Sequence, residues 1–178
     1  MKYVRRWLAS PRLILLFTLI YVISQTLIAR ILHTGNADAL LFQFQFCYHA
    51  TAFSELLHSI SASQLAALQA HFIYDHIHPV WYGLLALSLI SWLLDINRLS
   101  ARWTLLLWPV LLMPLLDLVE NRLHEPWLLL QSAPSDPLVM IAGISATVKW
   151  GLAAACLLLA VVLGLRAAML RLPLRAAG

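Results

Sequence analysis

The chain has 178 residues, of which 62% are hydrophobic and 11% charged, with mean hydropathy +0.82 and a formal charge of +4. A soluble domain carries about 25% charged residues, so this composition excludes a water-soluble fold and specifies one integral membrane domain over residues 1–178. Lys and Arg flank the apolar stretches instead of forming a patch, so the basic balance excludes nucleic acid as a partner.

Met1-Lys2-Tyr3-Val4-Arg5-Arg6 precedes an apolar run that is too long for the 7–15-residue core of a signal peptide. Ala37-Asp38-Ala39 offers a cleavage site, but the expectation is an uncleaved signal anchor. Four stretches approach the roughly 20 residues of a spanning helix: about 13–32, 79–97, 103–123 and 138–165. Lys2, Arg5, Arg6 and Arg12 precede the first, Arg98 and Arg102 join the second to the third, and Arg166, Arg171 and Arg175 follow the fourth. The positive-inside rule then places both termini in the cytoplasm, with a bacterial inner membrane as the expected location. Cys47 and Cys156 fall on opposite sides of the bilayer in this arrangement, which leaves no intrachain disulfide within reach.

Residues 33–78 form the external segment between spans one and two, read as a cap over the outer mouth of the bundle. Phe42-Gln43-Phe44-Gln45-Phe46 alternates apolar and polar residues, predicting a short strand or an extended interfacial strip. Thr51 is the expected cap of a helical turn through Leu57. Ser61-Ala62-Ser63-Gln64 is a capping-box pattern opening an amphipathic helix with Leu65, Leu68, Phe72 and Ile73 on its apolar side. That helix runs into span two at Pro79, with a bend near His78, because proline fits the first turn of a helix.

Span three contains Pro109 and Pro114, each expected to kink it. It ends in Asp117-Leu118-Val119-Glu120-Asn121, and helical spacing puts Asp117, Glu120, Asn121 and His124 on one face. Span four carries Gly143, Thr147, Gly151 and Ala155 at four-residue spacing, a pattern of close helix packing.

An intramembrane ionisable group implies a site and a partner. Counting from the inner ends at 1.5 Å per residue, Asp117 lies roughly 21 Å up span three and Glu120 roughly 25 Å, while Lys149 lies roughly 24 Å up span four. His78 and Tyr82 of span two fall near the same layer, and Gln25 of span one is placed to hydrogen-bond across the bundle. Lys149 is therefore the expected partner of Asp117 and Glu120. Two carboxyls against one ammonium leave the cluster either net negative or with one carboxyl protonated.

The ligand-binding set expected from the sequence is Asp75, His78, Tyr82, Asp117, Glu120, Asn121 and Lys149. Its leading reading is an outward-facing pocket for a lipid headgroup or small amphiphile, with the cap as lid. An alternative is an intramembrane lipid hydrolase or transferase, with Glu120 or Asp117 as base and Lys149 stabilising developing negative charge. Ser145, one turn before Lys149, is better read as a packing residue, and no nucleophile motif is evident. A third reading is a structural subunit of a membrane complex or a homo-oligomer, with the charged cluster as internal glue. No cofactor is specified. All seven histidines fall in external segments, and His71, Asp75, His78, Glu120 and His124 are the residues that would hold a metal, but no metal-binding motif is present.

Tyr74-Asp75 with Pro79 and Tyr82, then Asp117-Leu118-Val119-Glu120-Asn121, then Thr147-Val148-Lys149-Trp150 resemble, in that order, a widespread group of small four-span membrane proteins sharing D…P..Y, DxxEN and a late Lys-Trp. The resemblance covers most of the chain from about Phe42 and implies an all-α, four-helix transmembrane bundle and no particular activity. His78 stands where that group would have an apolar or aromatic residue, which counts against a shared histidine-based metal site.

Overall fold

The computed structural model describes residues 2–130 and 132–171, and Arg175 lies outside them. The described residues are helical throughout, without a strand. A short helix α1 (Lys2–Leu8) precedes α2 (Pro11–Thr34). Three helices, α3 (Asp38–Gln45), α4 (Ala50–Ser59) and α5 (Ala62–Asp75), then form the cap. The chain continues through α6 (His78–Ile96), a 3₁₀ segment (Ala101–Leu106), α7 (Leu107–Leu129) and α8 (Asp136–Arg171). Four segments are long and apolar enough to cross a membrane: Pro11–Thr34, His78–Ile96, Ala101–Leu129 and Asp136–Leu170. This is the four-helix bundle with an amphipathic cap that the composition and hydropathy specify.

The helices are not equivalent. The most apolar windows of α6 and of the 3₁₀–α7 span are each 39% buried, against 17% for α2 and 11% for α8, so α6 and α7 form the centre. α7 packs along both α8 and α6, and α6 packs along α2. Helices α2 and α8, by contrast, barely touch. Gly83 lets α6 reach α7: a Cβ there would lie 2.8 Å from Pro114 Cγ. Gly35 does the same where α2 meets α5, since a Cβ would collide with that of Ala67 and lie 3.2 Å from Ser63 O.

Two apolar cores sit above and below a polar layer. At the cap end Phe44, Phe53, Leu68, Phe72, Trp127 and Leu128 are buried together, with Phe53 against Phe44 (4.8 Å between ring centroids) and edge-on to Trp127 (5.0 Å). At the other end Ile90, Leu93, Leu94, Leu107, Val110 and Leu163 form the second core. Arg5 closes this end, with its Nε 2.7 Å from Asp95 Oδ1 and further bonds to the carbonyls of Leu99 and Ser100. Arg166 donates to Asn97 O at 3.2 Å. The N-terminal helix, the α6–α7 connection and the end of α8 therefore share one basic end.

Several local expectations are corrected. Residues 42–46 are not extended: Asp38–Gln45 is a helix. Five alternating residues fit either period, and a lone strand has no neighbour to pair its backbone, whereas a helix satisfies its own. Thr51 lies inside α4 and does not cap it; the first N–H, that of Ala50, donates to Asp136 Oδ1 at the start of α8 (2.6 Å). Pro109 falls in the first turn of α7, after the 3₁₀ segment, where its missing N–H costs nothing, so it breaks no helical hydrogen bond. The close packing expected of Gly143, Thr147, Gly151 and Ala155 is met at its first half and not at Gly151: Gly143 abuts the Cys47 backbone and the ring of Tyr48, whose hydroxyl lies 2.5 Å from Thr147 Oγ1, whereas Gly151 faces open space. The seam between α7 and α8 runs along the buried Val139, Ala142, Ala146 and Lys149.

Other expectations hold. Ser61 caps α5 with both bonds of the capping box, Gln64 N–H to Ser61 Oγ at 3.3 Å and Ser61 N–H to Gln64 Oε1 at 2.9 Å. Pro79 lies in the first turn of α6 after a break at His76-Ile77. Both cysteines are free thiols.

Candidate functional site

Span three delivers its polar stripe to the protein interior. Asp117, Glu120, Asn121 and His124, at i, i+3, i+4 and i+7, are all buried, while Leu115 and Val119 on the other face are exposed. Facing them, Lys149 sits on the seam of α8. Its Nζ donates to Asp117 Oδ1 at 2.8 Å and lies 2.6 Å from Glu120 Oε2, the second contact being close but off the hydrogen-bonding axis. Tyr82 on α6 completes the group by donating its hydroxyl to Asp117 Oδ2 at 2.7 Å. Three helices thus meet at one buried carboxylate. Leaving any of these charges unpaired in hydrocarbon would cost several kcal/mol.

Around this cluster the remaining candidates separate into two groups. Asp75, His78, Tyr82, Asp117 and Lys149 line a cavity of about 500 Å³. Glu120 and Asn121 do not. Glu120 is fully buried behind Lys149, with Oε1 lacking a partner and His124 Nδ1 3.8 Å away. Asn121 is spent on structure, donating to the carbonyl of Asp75 at 3.0 Å and so tying α7 to the end of α5. His124 is packed between Phe53 and Trp127.

Asp75 differs from Asp117. Its carboxylate accepts no hydrogen bond: the nearest donor is His71 Nε2, 3.6 Å from Oδ2, and the His71 ring is held from its other side by Nδ1 on Leu68 O at 2.6 Å. Burial alone would raise the Asp75 carboxyl, but the adjacent His71 and the charges of Lys149 and His78 outweigh it and hold the group below the usual carboxylate range. Asp75 is therefore an ionised acceptor that faces the cavity.

The cavity is polar at one end only. From the layer of Asp75, Asp117 and Lys149 it runs towards the basic end along Leu85, Leu89 and Ile90 of α6 and Ala153, Leu157 and Ala160 of α8. Lys149 to Ala160 spans about 16 Å along the helix. Its remaining wall is α2, through Tyr21, Gln25 and Ile28. Because α2 and α8 barely touch, the long side of the cavity coincides with the gap between those two spans. Helix α3 covers the polar end with Asp38, Leu41, Phe42 and Gln45. Gln45 Oε1 accepts the indole N–H of Trp150 at 3.1 Å, which fastens the cap to α8.

Among the described residues no three His, Cys, Asp or Glu side chains are grouped to hold a metal ion. The five residues that would have held one are dispersed: His71 stands beside Asp75, His124 beside Glu120, and His78 turns to α2, where it meets Ser24 Oγ at 2.7 Å and stacks on Tyr21. Ser145 is buried in the α7–α8 seam.

Sequence reasoning missed Tyr21, Phe42, Gln45, Ser24 and the apolar stem of the cavity. Their polar atoms or rings were visible, but only tertiary packing brings span one and the cap to the site. Comparison with family models, with curated proteins and with solved structures finds no match to this chain.

Proposed function

We propose that this multi-pass membrane protein binds an amphiphile whose head sits at Asp75, Tyr82, Asp117 and Lys149 and whose tail lies along the stem of the cavity. The observation that carries this reading is the cavity itself, polar at one end, apolar along its length, and bordered on its long side by two spans that do not close on each other. A water-soluble ligand has no use for a stem of leucine and alanine, whereas an alkyl chain is stabilised there by burial. Entry from the lipid phase between α2 and α8 avoids crossing the capped polar end. With the basic end in the cytoplasm, as the positive-inside rule directs, the head would sit in the outer leaflet beneath the α3–α5 cap.

A lipid hydrolase is less well supported. Glu120 does not reach the cavity, and both carboxylates occupy Lys149, which leaves it poorly placed to stabilise new negative charge. The test is native mass spectrometry of the gently solubilised protein beside Ala153→Trp, which fills the stem. A discrete co-purified amphiphile in the wild type, lost in the variant at unchanged helicity, is the expected outcome. A wild type as empty as the variant would overturn the reading and favour a packing cluster in a structural subunit.

A further inference from the structure

The charges at the head of the cavity decide which class of amphiphile it would take. Three carboxylates, Asp38, Asp75 and Asp117, line the cavity with one ammonium, Lys149, and one imidazole, His78, whose Nδ1 is engaged by Ser24 of α2. That ammonium is already matched by Asp117 and by Glu120 behind it, so it has no charge left for an anionic head. No arginine lines the cavity among the described residues. The Asp117 oxygens are each engaged, by Lys149 and by Tyr82. Asp75 and Asp38 each face the cavity without accepting a hydrogen bond, but Asp38 is 51% exposed and Asp75 only 14%, so Asp75 is the buried open acceptor. Aromatic side chains, Tyr21, Tyr82 and Trp150, line the same chamber, and Lys149 Nζ already lies 5.6 Å from the Trp150 ring centroid. A mostly buried carboxylate in a chamber that also holds aromatic rings favours a cation and penalises an anion.

We propose that the occupant is an ammonium-bearing amphiphile, its charged nitrogen seated against Asp75 between Tyr21, Tyr82 and Trp150, and its chain running down the stem towards Ala160. The inference rests on the amphiphile reading above and narrows it to one head chemistry. A net anionic head such as a phosphate monoester is repelled by these carboxylates, and a neutral head can donate a hydrogen bond to Asp75 but brings no charge to balance it. An ammonium supplies up to three donors, enough for Asp75 and for the free lone pairs of Asp117.

The experiment is a competition. Full-length protein in a non-ionic detergent is equilibrated with equal amounts of dodecylamine, dodecyl phosphate and dodecanol, and the adducts are counted by native mass spectrometry. The amine adduct should exceed the phosphate adduct by roughly tenfold or more, the discrimination expected of a desolvated charge site. Asp75→Asn, which removes no hydrogen bond and should fold normally, should abolish that preference while dodecanol still binds. Glu55→Gln, exposed on α4 of the cap and outside the cavity lining, makes the same change of charge and should leave it unchanged.

Equal or greater phosphate binding would overturn the ammonium assignment and leave the amphiphile reading intact. Loss of the preference in Glu55→Gln but not in Asp75→Asn would also overturn it, reducing the effect to surface attraction. If no dodecyl compound binds the wild type better than Ala153→Trp, both readings fall together. Repeating the competition with phosphatidylethanolamine against phosphatidylglycerol distinguishes two sources of the same chemistry. A preference extending to the ethanolamine lipid assigns a phospholipid head, and one confined to dodecylamine assigns a single-chain amine.

Discussion

Asp117 and Asp75 are two carboxylates on the wall of one cavity, and the protein treats them in opposite ways. Asp117 is surrounded: Lys149 and Tyr82 each take one of its oxygens, and three helices depend on the arrangement. Asp75 has no hydrogen-bond donor on its carboxylate. The first is a lock and the second an open acceptor, with His71 beside it but no hydrogen bond made. A charged residue in a membrane span therefore need not be the working part of a site; it can be the clamp that lets another carboxylate keep its acceptors open.

Mutations should separate the two roles cleanly. The largest loss is expected from Lys149→Met, which strands Asp117 and Glu120 in the interior. Removing one partner of a buried ion pair costs about 3–5 kcal/mol, read as a fall in thermal unfolding in detergent. Adding Glu120→Gln to Lys149→Met should recover part of that loss, because one fewer carboxyl is left unpaired. Strict additivity of the two changes would contradict the clamp. Tyr82→Phe should be milder, at about 1.5–3 kcal/mol for a hydrogen bond to a charged acceptor, with the α6–α7 contact at Gly83 and Pro114 preserved.

The smallest stability change is expected at Asp75→Asn, a loss of about 1 kcal/mol at neutral pH. The difference from the wild type should close in acid. A carboxyl whose folded-state pKa lies below its unfolded value contributes stability above the unfolded pKa and loses it as pH falls through the folded one. The wild type should thus lose stability below about pH 4, and Asp75→Asn should show a shallower loss in the same window by circular dichroism. Identical acid profiles would show that Asp75 is not held ionised by its surroundings.

What the sequence could reveal followed the periodicities that survive without tertiary information. Hydropathy located four spans, helical spacing put Asp117, Glu120, Asn121 and His124 on one face, and a common depth paired them with Lys149. The split between clamp and open acceptor was not legible, because Asp117 and Asp75 are the same residue type and tertiary packing alone decides which of them meets Lys149 and Tyr82. The Phe42–Phe46 strip was misread because five alternating residues cannot distinguish a strand from a short helix. The cap on α4 was missed because its acceptor, Asp136, lies 86 residues away. The gap between α2 and α8 was out of reach for a related reason: a helix that fails to touch another leaves no mark on either sequence.

The pairing of α7 with α8 through Lys149 bears on how the protein is made. Span three emerges from the ribosome carrying Asp117 and Glu120, and their ammonium partner follows on the next span. Inserted alone, α7 would hold both acids in hydrocarbon without compensation. Insertion of the last two spans together, as a hairpin, would set Lys149 beside both acids and remove that cost.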